Sequence, residues 1–268
     1  MVSHFFPEVR KERADVFLEV ARKSPDGLLV GCCRQAPMLL YEPEMVAAFK
    51  AETGIDPQAI DAPNHDDYLR WIKWRADHFT QVLRDLRQGL KPTEQEQGRR
   101  IPVAVRIPSS GFLYNLAQGL DVEQWVAEGL ADQIQWDPLE TWGGRWSHDV
   151  RPYVELGRKH GVTIIGGIGA TWTPVSAMAT CLRRAMGLAD AGVDGIEIHE
   201  TELLAQTSDW RWTLSFFGNP YRALSFLADS NLEACYPVSR SVAACGHDNH
   251  SNWHDGQYSI YDESKLGL

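Results

Sequence analysis

Carboxylates, arginines and tryptophans gather at the downstream ends of short apolar runs in this chain. Arg34 lies just past the run at 28–32, Arg106 lies near the end of 101–108, and Asp137 closes 133–137 with Glu140 just beyond it. His199, Glu200 and Glu202 follow the run at 195–198. Two carboxyl groups held about 5–9.5 Å apart are the equipment for cleaving a glycosidic bond. Asp137 or Glu140 facing Glu200 or Glu202 would supply such a catalytic pair, although the same residue types also serve as loop ion pairs and caps. Arg34 and Arg106 carry guanidinium forks suited to a ligand's hydroxyls, carboxylate or phosphate. The alternative for both is neutralisation of Asp137 or Glu200 within the protein.

Aromatic residues follow the same distribution. Of the ten tryptophans, Trp136, Trp142, Trp146, Trp172, Trp210 and Trp212 fall on or just after these run ends. An indole offers a flat apolar face and one N–H donor, which suits stacking on the C–H face of a sugar. Trp136, Trp142, Trp172 and Trp210, with His199, are therefore expected to face substrate. Trp71, Trp74 and Trp125 fall on expected helices and are expected in the core. The adjacent Cys32 and Cys33 have no neighbouring cation except Arg34 and read as small buried residues. The types in His247-Asp248-Asn249-His250 and His254 suit a metal, but no zinc spacing fits them. Gly166-Gly167-Ile168-Gly169 lacks the dinucleotide spacing and reads as close packing. No metal or cofactor is expected.

The elements that must position these residues are helices alternating with strands. A helix over 7–23 runs into the turn Pro25-Asp26-Gly27, and the apolar run follows. Such a run, bounded by turn signals, reads as a strand buried on both faces in a parallel sheet. Further helices are expected over 43–53, with Pro43 at the start and Gly54 past the end, and over 66–90, where Pro92 opens a polar loop to Arg100. Others are expected over 122–131 and 149–160, from Thr173-Pro174 onward, and from Asn219-Pro220. Strands over 101–108, 133–137, 162–168 and 195–199 complete about five βα units. Serial βα units predict an α/β fold of the (β/α)8 TIM-barrel type, whose sites lie at the carboxyl ends of the strands.

A closed barrel of this type has eight strands, and no strand precedes the first helix here. The expectation is an incomplete barrel over 1–230 whose amino-terminal strands are missing, followed by an irregular tail over 231–268 packed on it. The first and last strands would then be open edges. Water would reach Val30, Val105 and Ile165, and copies of the chain would self-associate through those edges.

Composition sets the outer limits. The 268 residues suffice for one large domain, and the 44% hydrophobic and 23% charged content is that of a globular protein. A formal net charge of -10 argues against nucleic acid, whose phosphates select basic faces. No apolar run reaches the roughly 18 residues of a membrane span. Five cysteines without metal-ligand spacing, and no leader pattern after Met1, read as reduced thiols in a cytoplasmic chain.

Several separated motifs carry a resemblance. Phe6-Pro7-Glu8-Val9-Arg10, Asp26-Gly27, Arg34-Gln35-Ala36-Pro37, Tyr41-Glu42-Pro43, Phe49 and Gly54-Ile55-Asp56-Pro57 keep their order, as do Trp71 to Arg75, Thr80, Arg84 and the stretch from Trp125 to Asp132. Together they resemble the glycoside hydrolases related to glycoside hydrolase-like family ten, over most of 6–219. The resemblance implies a (β/α)8 barrel acting on carbohydrate. One departure stands out: the family usually places an aspartate on the first of these strands where this chain has Gly31. That departure, with the missing strands, supports an alternative in which a barrel remnant binds sugar without turnover. A third class is suggested by Asp194-Gly195-Ile196-Glu197-Ile198-His199, which superficially resembles a strand of flavin-dependent ene-reductases. Their second histidine or asparagine has no counterpart at Glu202.

Overall fold

A computed structural model describes residues 3–33, 41–60, 66–137, 149–169, 176–199 and Ser225. Five strands form one all-parallel sheet in chain order: β1 (Leu28–Gly31), β2 (Val103–Pro108), β3 (Gln133–Asp137), β4 (Thr163–Gly169) and β5 (Gly195–His199). Each strand therefore pairs with the next in sequence, without the reversal that marks a doubly wound sheet. The helices are α1 (Pro7–Ala21), α2 (Pro43–Thr53), α3 (Asp66–Gln97), α4 (Phe112–Ala117), α5 (Val122–Ala127), α6 (Arg151–His160) and α7 (Ser176–Ala191). None of them is long and apolar enough to cross a membrane.

The helix boundaries follow from local chemistry. Pro7 and Pro43 each open a helix, where a missing N–H costs nothing. Gly54, at φ 75°, closes α2 in the left-handed conformation that a side chain would strain. Asp121 caps α5 by accepting from Gln124 N. That helix stops at Ala127 rather than at the expected residue 131, because Gly129 turns the chain at φ 67°. A larger correction concerns Pro92, which lies inside α3 instead of ending it. Tertiary bonds hold the last turns in place: Ile101 N donates to Glu94, and Gln97 Nε2 donates to Ala21 O. Helix α4 was not expected either.

Side-chain alternation corrects the expectation of strands buried on both faces. Leu28 and Val30 are buried while Leu29 is exposed, and Val103, Val105 and Ile107 are buried while Ala104 and Arg106 are partly exposed. One face of the sheet carries Leu28, Val30, Val103, Val105, Ile107, Ile134, Trp136, Ile164 and Ile168 into a core shared with α3, α5 and α6. Val30 and Val105 are thus shielded from water, contrary to expectation, because they point at helices. Ile165, on the other face, is only half-buried. Gly157 brings α6 against β4: a Cβ there would lie 2.5 Å from Val162 O. Trp125 Nε1 donates to Thr80 Oγ1 at 2.9 Å, tying α5 to α3. Trp71 and Trp125 are core residues, as expected.

At the amino-terminal end of the sheet one device occurs twice. Asp132 N donates to Val103 O, and Asp132 Oδ2 accepts from Val103 N at 2.7 Å. Asp194 grips Ile164 in the same manner, with both bonds at 2.8 Å. Each aspartate follows a helix and a positive-φ glycine, Gly129 or Gly192. Burial alone would raise the Asp132 carboxyl, but the Val103 N–H, Arg87 and Arg100 outweigh it and hold it below the ordinary range.

Candidate functional site

The face of the sheet turned away from the core helices is mixed, and the strand register assembles its polar side chains into rows. Gly31 pairs with Arg106, Arg106 with Gln135, Gln135 with Ile165, and Ile165 with Gly195. The next row, nearer the carboxyl ends, holds Pro108 opposite Asp137 and Gly167 opposite Glu197. In-register neighbours of a parallel sheet share a face, and residues two apart along a strand return to it. Arg106, Gln135, Asp137 and Glu197 therefore stand together although they come from three strands.

Their contacts centre on Arg106. Its Nε donates to Gln135 Oε1 at 3.1 Å and lies 3.3 Å from Asp137 Oδ2, while its Nη2 is bonded to Glu197 Oε1. The Asp137 side chain is fully buried, and those of Arg106 and Glu197 are 20% and 15% exposed. The end of β3 is fixed from behind. Ser109 N donates to Asp137 O at 2.7 Å, Tyr153 Oη donates to Ser110 O at 2.8 Å, and Asn115 Nδ2 donates to Tyr153 Oη at 2.6 Å. Around the cluster, Gly31, Gly167 and Gly195 contribute no side chain. A Cβ built on Gly31 would meet nothing within 4 Å.

Chemically, this is a bank of donors and acceptors carrying one cation and two carboxylates. Ion pairing to a guanidinium favours the charged carboxylate. Such a group accepts hydrogen bonds, takes up a proton or attacks as a nucleophile, whereas a general acid must arrive protonated. The Arg106 fork and the Gln135 amide add the directional contacts that fix hydroxyl-rich ligands.

Of the residues singled out in the sequence, Arg106 and Asp137 meet here. Arg106 is engaged internally with Asp137, as its alternative role anticipated, and with Glu197. Trp136 does not face this site. It lies one position before Asp137 on β3, so it points to the helical side, where it is 3% exposed and its ring centroid is 6.3 Å from that of Tyr153. The backbone of His199 pairs with Gly169 at the end of β5. Arg34, Glu140, Trp142, Trp172, Glu200, Glu202 and Trp210 lie outside the described residues, as do the helix expected from Asn219 and the tail over 231–268. Glu197 and Gln135 were missed. Both sit at alternate positions of their runs, and that period-two signal was present in Gly195-Ile196-Glu197-Ile198-His199. Cys32 and Cys33 are buried, and burial, with Cys33 beside it, pushes the Cys32 thiol upward.

No protein-family model matches the chain, and no curated protein is significantly similar to it.

Proposed function

We propose that the polar face is the floor of a carbohydrate-binding cleft, and that the five strands are an arc of a (β/α)8 barrel. Strands that pair strictly in chain order, each joined to the next through at least one helix, support the barrel reading. The observation that carries the functional reading is the Arg106–Asp137–Glu197–Gln135 cluster near the carboxyl ends of three strands. Sugars are held by such mixtures of charged and amide groups.

A specific feature favours binding without turnover. The position where the resembling family places an aspartate is Gly31, in register with Arg106 and facing open space. Arg106 meanwhile forms ion pairs with both local carboxylates, Asp137 and Glu197. The test is a titration of the full chain with neutral, acidic and amino oligosaccharides, followed by calorimetry and by assay for released reducing ends. Saturable heat without product is the expected result. Product release would establish the hydrolytic reading instead, and no heat with any sugar class would overturn both.

A further inference from the structure

We infer that Arg75 anchors a second ligand site, for a compact oxyanion, in the helical layer behind the sheet. Arg75, on α3, is 1% exposed. Its Nη2 donates to Ala117 O at the end of α4, while its Nε is buried with no acceptor. Among the described residues no carboxylate forms an ion pair with it. The treatment of other arginines is different. Arg84 holds Glu128 at 2.7 Å, Arg87 holds Asp132, and Arg106 holds Glu197. All three are more exposed than Arg75, so the deepest of these cations is the one without a counter-charge.

A buried, unpaired charge is strongly unfavourable unless something neutralises it. The aromatic neighbours help only in part. The guanidinium carbon lies 5.7 Å from the Tyr41 ring centroid and 5.5 Å from that of Trp71. Aromatic faces attract a cation but supply no acceptor in the guanidinium plane. Trp71 Nε1, within the same stack, is a second buried donor without an acceptor. Two orphaned donors and a net positive charge specify a ligand that brings both oxygen acceptors and negative charge. A guanidinium takes carboxylate and phosphate edges in the same way. Tyr41, 39% exposed, is the solvent-facing member of the stack. Glu42, next to it in sequence, keeps a buried Oε2 without a partner but forms no ion pair with Arg75.

The experiment measures melting of the full chain, with Trp fluorescence, against acetate, phosphate and chloride at matched ionic strength. Acetate or phosphate is expected to raise the melting temperature saturably, as a ligand that binds only the folded state must, with chloride inert; the more effective anion identifies the source chemistry. Arg75→Met should abolish the saturable rise, and Arg75→Lys, which keeps the charge but loses the planar fork, should weaken it. Equal behaviour of all three anions on the wild-type chain would overturn the proposal, whether or not the variants fold. So would a saturable rise that persists in folded Arg75→Met. Neither result bears on the carbohydrate cleft, which lies on the opposite face of the sheet.

Discussion

Replacing Asp132 by alanine probes the strand clamp at its most heavily used copy. Asp132 Oδ2 accepts from the Val103 N–H and from Arg87, and its Oδ1 accepts from Arg100 Nε at 3.0 Å. Val103 is fully buried, so its N–H would be left unsatisfied at a cost of about 1–3 kcal/mol. Arg87 is only 10% exposed and would lose its closest carboxylate. Breaking a buried pair costs about 3–5 kcal/mol, but Arg87 keeps the carbonyls of Leu130 and Ile101, which removes much of that. The expected total for Asp132→Ala is about 3–4 kcal/mol. Asp132→Asn retains an acceptor for Val103 and loses the charge, for about 1–2 kcal/mol. Asp194→Ala removes the same grip without arginines and should cost about 1–3 kcal/mol, less than Asp132→Ala. Urea unfolding of the full chain, read by fluorescence with the slope held common, gives all three. A cost for Asp132→Ala no larger than that for Asp194→Ala would refute the assignment of Arg87 and Arg100 to the clamp.

Three further outcomes are expected. Burial, then Arg13 and Arg10, hold His4 below its usual range against an opposing pull from Glu42, and burial and Arg10 do the same to His78 against Asp77 and Glu52; their neutral forms are favoured in the fold, so stability is full above the unfolded value of about 6.5 and falls as pH drops below it. Urea midpoints should decline between about pH 7.5 and 5.5, and a His78→Phe variant, whose ring fits between Phe5 and Trp74, should flatten that decline; an unchanged slope would count against it. Gly157→Ala should destabilise by about 1–3 kcal/mol or prevent folding, because the new Cβ would lie 2.5 Å from a backbone oxygen, and thermal melting checks it. Copies are expected to associate through β1 and β5, the terminal strands among the described residues, so Leu29→Lys should lower the scattering mass at high concentration; equal mass would dismiss the edge of β1 as the contact.

The sequence disclosed more of the backbone than of the site. Five strands were placed within a residue or two at most ends, because Pro-Asp-Gly, Gly129 and Gly192 bracket the apolar runs and signal turns unambiguously. Facing was harder. Reading Gly195-Ile196-Glu197-Ile198-His199 as one apolar run hid the alternation that sends Glu197 to the polar face and Ile196 toward the helices. Trp136 was misread for the same reason. Register decides that Arg106, Gln135 and Glu197 meet, and register depends on contacts between residues about 30 or more apart. Pro92 shows the limit of local rules, since the bonds of Glu94 to Ile101 and of Gln97 to the distant Ala21 outweigh the lost N–H.

The central claim rests on Arg106 and is tested most directly by calorimetric titration of wild type and Arg106→Met with the same oligosaccharide panel. The account predicts saturable binding of at least one sugar class by wild type. In a folded Arg106→Met variant that binding should be lost, because the fork that orders Gln135, Asp137 and Glu197 is gone. Undiminished binding by folded Arg106→Met would contradict it, as would a wild-type chain that binds none of the sugars.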